Sequence, residues 1–443
     1  MTTSGPHNPT LPQRMARPVR AFLTTETAGG TVLLVTTIAA LVWVNSPLGS
    51  SYDRLWDTEF TFRLGSSAIT RDLRHWVNEG LMALFFLVVG LEIKRELVVG
   101  ELNGLKKAAL PAIAALGGMI VPAGLYAVLN AGGDGGAGWG IPMATDIAFA
   151  VGLLALLSPQ ASPALKVFLL TLAVVDDIGA IIVIALVYSG GVDFGALSVA
   201  IVLLLSMVGL RALRIAYPPP YVFLGVLVWV ALLQSGVHAT LAGVAVGLLA
   251  PARAANPASL RRLPGFEQSH EEGESLGGPE ARRARQTVLE ATPVTDRISY
   301  DLHPWTSFVV VPLFALANAG VRLDLDTVGD AATSPIAWGI VLGLVVGKIV
   351  GITGATALAK RSGWGTLPQD VALREIPGVA AIAGIGFTVA IFIATLAFED
   401  AATQEVAKIG VLAASLLAAA AGAMAARLSS RRPFPLTLDS DLP

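Results

Sequence analysis

The chain has no cysteine among its 443 residues, which excludes disulfides, thiolate-bound zinc and iron–sulfur clusters and leaves the redox compartment unread. Charge is also scarce: Asp, Glu, Lys and Arg make up 14% of the residues, against about 25% in an ordinary soluble domain. There is no basic excess, the net charge being −2. The Lys and Arg residues fall in short clusters at the ends of apolar runs, so no basic face is available to a nucleic acid. A small-residue cleavage site after the first apolar run is missing too, so Arg14, Arg17 and Arg20 with the run behind them read as a retained span rather than a removable leader. What is abundant is apolar sequence, at 54% with a mean hydropathy of +0.68. Several runs reach roughly 20 residues, the length that crosses a bilayer as a helix.

The spacing of those runs predicts an all-α polytopic membrane protein of about twelve spans, at about 29–44, 76–99, 108–130, 140–157, 164–188, 194–211, 221–235, 237–250, 304–321, 335–359, 376–398 and 404–427. Residues 1–20 and 428–443 are read as tails and 251–303, with Arg261-Arg262, Glu271-Glu272 and Arg282-Arg283, as a hydrophilic linker. With the N-terminus inside, 23 of the 30 basic residues fall on inner segments, as expected where Lys and Arg mark the cytoplasmic side. Both termini are therefore expected in the cytoplasm. Between 52 and 71, Trp56, Thr58, Phe60, Phe62 and Leu64 alternate with Asp57, Glu59, Thr61 and Arg63 ahead of Gly65-Ser66-Ser67. That period of two followed by a turn predicts a small extracytoplasmic β-hairpin.

A few polar groups interrupt this pattern. Asp176 and Asp177 sit together in the middle of the 164–188 run. An aspartate at the centre of a membrane helix costs about 2.5–3.5 kcal/mol on insertion scales, so such acids mark ion paths or proton relays. Neighbours on a helix point about 100° apart, which lets the two carboxylates do different work. Their proximity disfavours simultaneous ionisation, while a bound cation favours it, so protons and a small cation compete for the same oxygens. Pro142 and flanking glycines break the span that carries Thr145-Asp146, and Gly384 and Gly386 break its counterpart in the second half. Two interrupted spans in corresponding positions point to a site built from discontinuous helices. The helix ends so exposed carry partial charges of roughly +0.5 and −0.5. Asp146 is placed to compensate the N-terminal ends, and Lys348, the one basic residue deep in a span, the C-terminal ends. His238 lies at a turn between two apolar runs, and Glu92 and Glu96 share one face at the close of the second.

Seven stretches together resemble the NhaA family of sodium/proton antiporters: Gly80–Leu97 with its Gly-Leu-Glu-Ile-Lys-Arg-Glu-Leu ending, Pro142–Phe149, Val175-Asp-Asp-Ile-Gly179, Ser235–Gly243, Leu302-His-Pro-Trp305, Pro312–Gly320 and Gly347-Lys348. The resemblance covers about 76 to 400. It implies inverted repeats with sites near the midplane, and a transporter of the bacterial inner membrane rather than an enzyme, with no cofactor. In such a protein Asp176 and Asp177 would bind sodium or lithium and carry protons, and Thr145 and Asp146 would line the crossing of the broken helices. Lys348 would pair with Asp176, and His238, Glu92 and Glu96 would take part in pH response. Exchange would be electrogenic, and the hairpin would join two protomers in a homodimer. The 251–303 loop looks longer here than in the family.

Overall fold

The structure is a computed structural model, and it describes residues 11–64, 67–158, 161–213, 218–253, 287, 291–368 and 370–430. Most of the expected 251–303 linker, the hairpin turn at Gly65-Ser66 and the ends of both tails lie outside the described residues. Two compact units divide the chain. The first takes in the described parts of Met1–Thr31, Leu110–Asp176 and Leu323–Pro443; the second, those of Val32–Ala109 and Asp177–Arg322. The division runs through one continuous helix, Pro163–Val187, between its two aspartates.

Among the described residues, five helices are long and apolar enough to cross a membrane: Lys107–Leu129, Pro163–Val187, Phe194–Ala212, Pro335–Arg361 and Ala401–Arg427. Three further pairs qualify if each bent pair is taken as one span, giving eight where the sequence suggests twelve. Physical reasons for the shortfall are visible. The expected 237–250 span contains only the helix Leu241–Leu249, roughly 14 Å long at 1.5 Å per residue, against a hydrocarbon core of about 30 Å. The expected 221–235 span lies in Pro219–Ser235, a shorter apolar helix, and the expected 76–99 and 304–321 spans contain π-helical turns at Trp76–Leu81 and Thr306–Val310. The second of these continues a helix that begins at Val294, ahead of the expected 304.

The hairpin is present, with Glu59–Leu64 antiparallel to Ser67–Asp72 in the register Glu59↔Asp72 to Leu64↔Ser67. It starts later than the alternation suggests, because Gly49–Trp56 is a helix. Tyr52 and Trp56, four residues apart, form its buried stripe. Tyr52 donates to Leu316 O at 2.8 Å, which fixes this helix within the second unit.

Close helix approach in each unit is made through glycine. In the second unit, Met82–Val98 packs on Leu241–Leu249, where a Cβ on Gly243 would strike Ala83 O and one on Gly247 would strike Leu87 O. In the first unit, Gly117 and Gly351 face each other's carbonyl oxygens, bringing Leu105–Leu129 against the helix that begins at Lys348. Small residues let membrane helices approach backbone to backbone. Gly243→Leu should therefore lower thermal stability by about 1–3 kcal/mol or more, the usual penalty for overpacking. Gly124→Ala, whose Cβ would enter open space, should leave the melting temperature unchanged in the same assay.

Candidate functional site

The site in the first unit is built where two broken spans cross. A 3-10 segment, Asp134–Met143, gives way to extended backbone at 144–146 and then to the helix Ile147–Leu157, with a bend of 48°. The second span breaks between Ile376–Ala383 and Phe387–Ala397, with a bend of 51°. Proline removes one backbone donor in the first, and glycine allows the backbones to touch in the second: a Cβ on Gly386 would lie 3.0 Å from Ala144 O. At the crossing, Asp146 N donates to Ile385 O at 2.7 Å, and Thr145 Oγ1 lies 2.8 Å from Ala383 O. The freed peptide groups of one span thus serve those of the other, as backbone in hydrocarbon requires.

Two helix N-termini meet here, and one carboxylate serves both. Asp146 Oδ1 accepts from Phe149 N at 3.2 Å, capping Ile147–Leu157. Its Oδ2 accepts from Thr388 N at 3.1 Å and Thr388 Oγ1 at 2.5 Å, in the first turn of Phe387–Ala397. A negative charge is stabilised at each positive helix end. Asp146→Ala should therefore lose two caps at once, about 1–4 kcal/mol in all, measurable as a lower melting temperature in detergent. Asp146→Asn, with one acceptor oxygen left, should fall between the two.

Lys348 is fully buried, and its ammonium has three acceptors for three protons. It donates to Asp176 Oδ2 at 2.5 Å, to Thr145 Oγ1 at 3.0 Å and to Met143 O, the carbonyl that ends the 3-10 segment. Thr145 Oγ1 is also 2.6 Å from Asp176 Oδ2. The other carboxylate oxygen, Asp176 Oδ1, is buried and has no hydrogen-bond partner among the described residues. Asp177, the next residue, is 7% exposed and opens the second unit. Thr145, Asp176 and Lys348 are therefore one hydrogen-bonded cluster, and Asp146, the residue after Thr145, holds the helix ends beside it. Thr388 joins Asp146 there and is not foreseen from the sequence; a hydroxyl two residues beyond Gly386 is its only local signal.

His238 lies at the turn between the helices Pro218–Ser235 and Leu241–Leu249, as its place in the sequence suggests. In the second unit its Nδ1 lies 3.2 Å from Glu79 Oε1, and its Nε2 lies 3.0 Å from Tyr188 O. Glu79 Oε2 also accepts from Ala239 N at 2.8 Å and Thr240 N at 3.3 Å. Glu92 and Glu96 are both half-buried on the helix Met82–Val98. They lie roughly 20 Å or more along the axis from Glu79 at 1.5 Å per residue, and Glu96 accepts from Glu101 N at 2.9 Å. The structure joins His238 to Glu79, a residue the sequence reading passes over, and not to Glu92 or Glu96.

Comparison with known proteins places the chain in a family. The family model described as Na+/H+ antiporter 1 matches residues 20–426. A Frankia alni protein named Na(+)/H(+) antiporter NhaA 3 is 47% identical over 432 residues, 96% of this chain and 92% of that one. Proteins named Na(+)/H(+) antiporter NhaA from Oleidesulfovibrio alaskensis and Janthinobacterium sp. are 44% and 42% identical, over 95% and 97% of this chain and 96% and 97% of their own lengths. With two broken spans crossing at Asp146 and Lys348 closing on Asp176, over a match of nearly the whole length, the chain belongs to the NhaA family of Na+/H+ antiporters, integral membrane transporters.

Proposed function

We propose that the protein is an electrogenic antiporter of the bacterial inner membrane, exchanging cytoplasmic Na+ or Li+ for periplasmic protons by alternating access. Asp176 and Asp177 bind the transported cation and the protons in turn. The observation that carries this reading is the half-engaged carboxylate of Asp176, with Oδ2 held by Lys348 and Thr145 and Oδ1 buried without a donor. A hard monovalent cation is held by oxygen ligands, and Oδ1 together with the neighbouring Asp177 carboxylate supplies them. Protonation removes those negative charges, so cation and proton occupy the site alternately. Lys348 and Asp146 balance the broken helix ends, so that the site tolerates a change of charge without exposing bare dipoles. His238, Glu92 and Glu96 take part in the response to pH, His238 through its contact with Glu79.

The twelve-span topology, both termini cytoplasmic, the hairpin outside and a homodimer joined through it complete the proposal, with sodium and pH homeostasis and salt tolerance as its cellular role. Each net charge carried inward is favoured by about 2.3 kcal/mol per 100 mV. The test uses inside-out vesicles with an acidified lumen and a pH-sensitive dye. Added sodium or lithium should release luminal protons, and added potassium should not. If the rate is the same with the membrane potential clamped to zero as with it free, the exchange is electroneutral and the electrogenic reading fails.

A further inference from the structure

Lys348 reaches the site from the apolar span Pro335–Arg361, and that span is not α-helical throughout. Pro335–Leu342 and Lys348–Arg361 are α-helix, and Gly343–Gly347 between them is a π-turn. Its wide hydrogen bond belongs to the lysine itself, whose backbone N–H donates to Gly343 O, five residues back. A π-turn takes one more residue into the turn than an α-helix does, and such bulges gather at functional sites.

A stripe of glycine shows what the extra residue does. Gly339, Gly343, Gly347 and Gly351 stand four apart, and in an unbroken α-helix each would drift roughly 40° from the last, about 120° over the three steps. Yet all four face one helix, Leu105–Leu129. A Cβ on Gly339 would lie 2.7 Å from Tyr126 Cδ2, one on Gly343 3.3 Å from Pro122 O, one on Gly347 2.9 Å from Pro122 Cα, and one on Gly351 would strike Gly117 O. The π-turn cancels the drift. Closed into α-helix at the same chain length, it would swing Lys348 around the axis by one residue's worth, roughly 100°, and off Asp176.

The turn is also seated on both breaks. A Cβ on Gly343 would lie 2.6 Å from Pro142 Cβ, and Pro142 is followed by Met143, whose carbonyl accepts from Lys348 Nζ. Leu344 is fully buried. Its Cδ2 lies 3.0 Å from where a Cβ on Gly386 would sit, and its carbonyl oxygen packs on Gly384. One turn of helix thus touches the first broken span and the second, and it carries the ammonium that joins them to Asp176.

We infer that Gly343 and Leu344 are positioning residues for the exchange, holding the π-turn that aims Lys348 at Asp176 and Thr145. With Oδ2 pinned by that ammonium and by Thr145, Asp176 presents Oδ1 to a cation in a fixed direction, a preorganisation that favours binding. The inference rests on the exchange reading for its function and on the packing of the turn for its mechanism.

The test measures sodium-dependent proton release against sodium concentration, beside melting in detergent, for Leu344→Ala, Leu344→Met and Gly343→Ala. Gly410→Ala is the packing control: a Cβ there would lie 3.0 Å from Ala337 Cα in the same unit, about 16 Å up the helix from Lys348 at 1.5 Å per residue. Leu344→Ala and Gly343→Ala should each raise the half-saturating sodium concentration at least about fivefold, equivalent to about 1 kcal/mol, with the maximal rate within about twofold of wild type. Leu344→Met, which refills the space, should recover most of that affinity. Gly410→Ala should lower the melting temperature and leave the half-saturating concentration where it is. Should Gly343→Ala fail to fold, Leu344→Ala carries the test alone. An affinity unchanged in the turn variants, or weakened as far in Gly410→Ala, reduces the turn to packing and overturns the proposal. The link to Lys348 is read without transport: the melting losses of Leu344→Ala and Lys348→Met should be less than additive when combined, and strictly additive losses overturn it too. Wild type that releases no protons on added sodium ends the exchange reading instead, and the melting cycle still decides whether the turn holds the lysine.

Discussion

Asp177→Asn is expected to stop sodium-dependent proton release in inside-out vesicles, to below about 1% of the wild-type rate, while the purified protein remains folded. The substitution keeps the size of the side chain and removes both its charge and its titration. A neutral amide offers a cation one weak oxygen in place of a charged pair, and it has no proton to give up in exchange. A hundredfold loss corresponds to about 2.7 kcal/mol of transition-state stabilisation, a modest demand for removing a charged ligand from a buried site. Stability should move the other way or not at all, because Asp177 is 7% exposed and a charge in such a place costs desolvation that the amide avoids. A melting temperature equal to or above that of wild type, with exchange at background, is the expected pair of results. Exchange at the wild-type rate would remove Asp177 from the transport cycle.

Much of this arrangement is legible in the sequence because the membrane makes polar residues conspicuous. Asp176, Asp177, Asp146 and Lys348 stand out against apolar surroundings, and the breaks beside them are written in Pro142, Gly384 and Gly386. The hairpin shows through its alternation, with Phe60 and Phe62 set between Glu59, Thr61 and Arg63. What stays hidden depends on contacts distant in the chain. Thr388 reaches Asp146 across 242 positions, and a lone threonine in an apolar run carries no mark of such a partner. Glu79 looks like a polar residue at the edge of a span, yet it is buried and bound to a turn 160 residues away. The helix Gly49–Trp56 is masked by an alternation that runs straight into the hairpin. The number of spans is obscured for another reason: some apolar runs form helices shorter than a full crossing, Leu241–Leu249 and Pro219–Ser235 among them.

Lys348→Ala should be the most destabilising single change at the crossing, by about 3–5 kcal/mol, the usual effect of removing one partner of a buried ion pair. Alanine leaves the Asp176 carboxylate buried without its counter-charge, and it leaves Met143 O without the ammonium that now donates to it. Part of the loss is packing, since the lysine stem lies beside Gly118, with Cδ 3.8 Å from where a Cβ there would sit. Lys348→Met separates the two contributions: it refills the space but restores no donor, so it should recover only the packing part. The decisive comparison adds Asp176→Asn to Lys348→Ala. If the pair is held together by its opposite charges, neutralising the acid should recover a substantial share of the stability lost with the base, and the double variant should melt above Lys348→Ala alone. Purely additive losses, measured in detergent at one pH, would mean that the two side chains act independently despite their 2.5 Å contact. Recovery in the double variant would show instead that the lysine's main structural task is to keep a charged acid in the bilayer, where a transported cation can replace a proton on it.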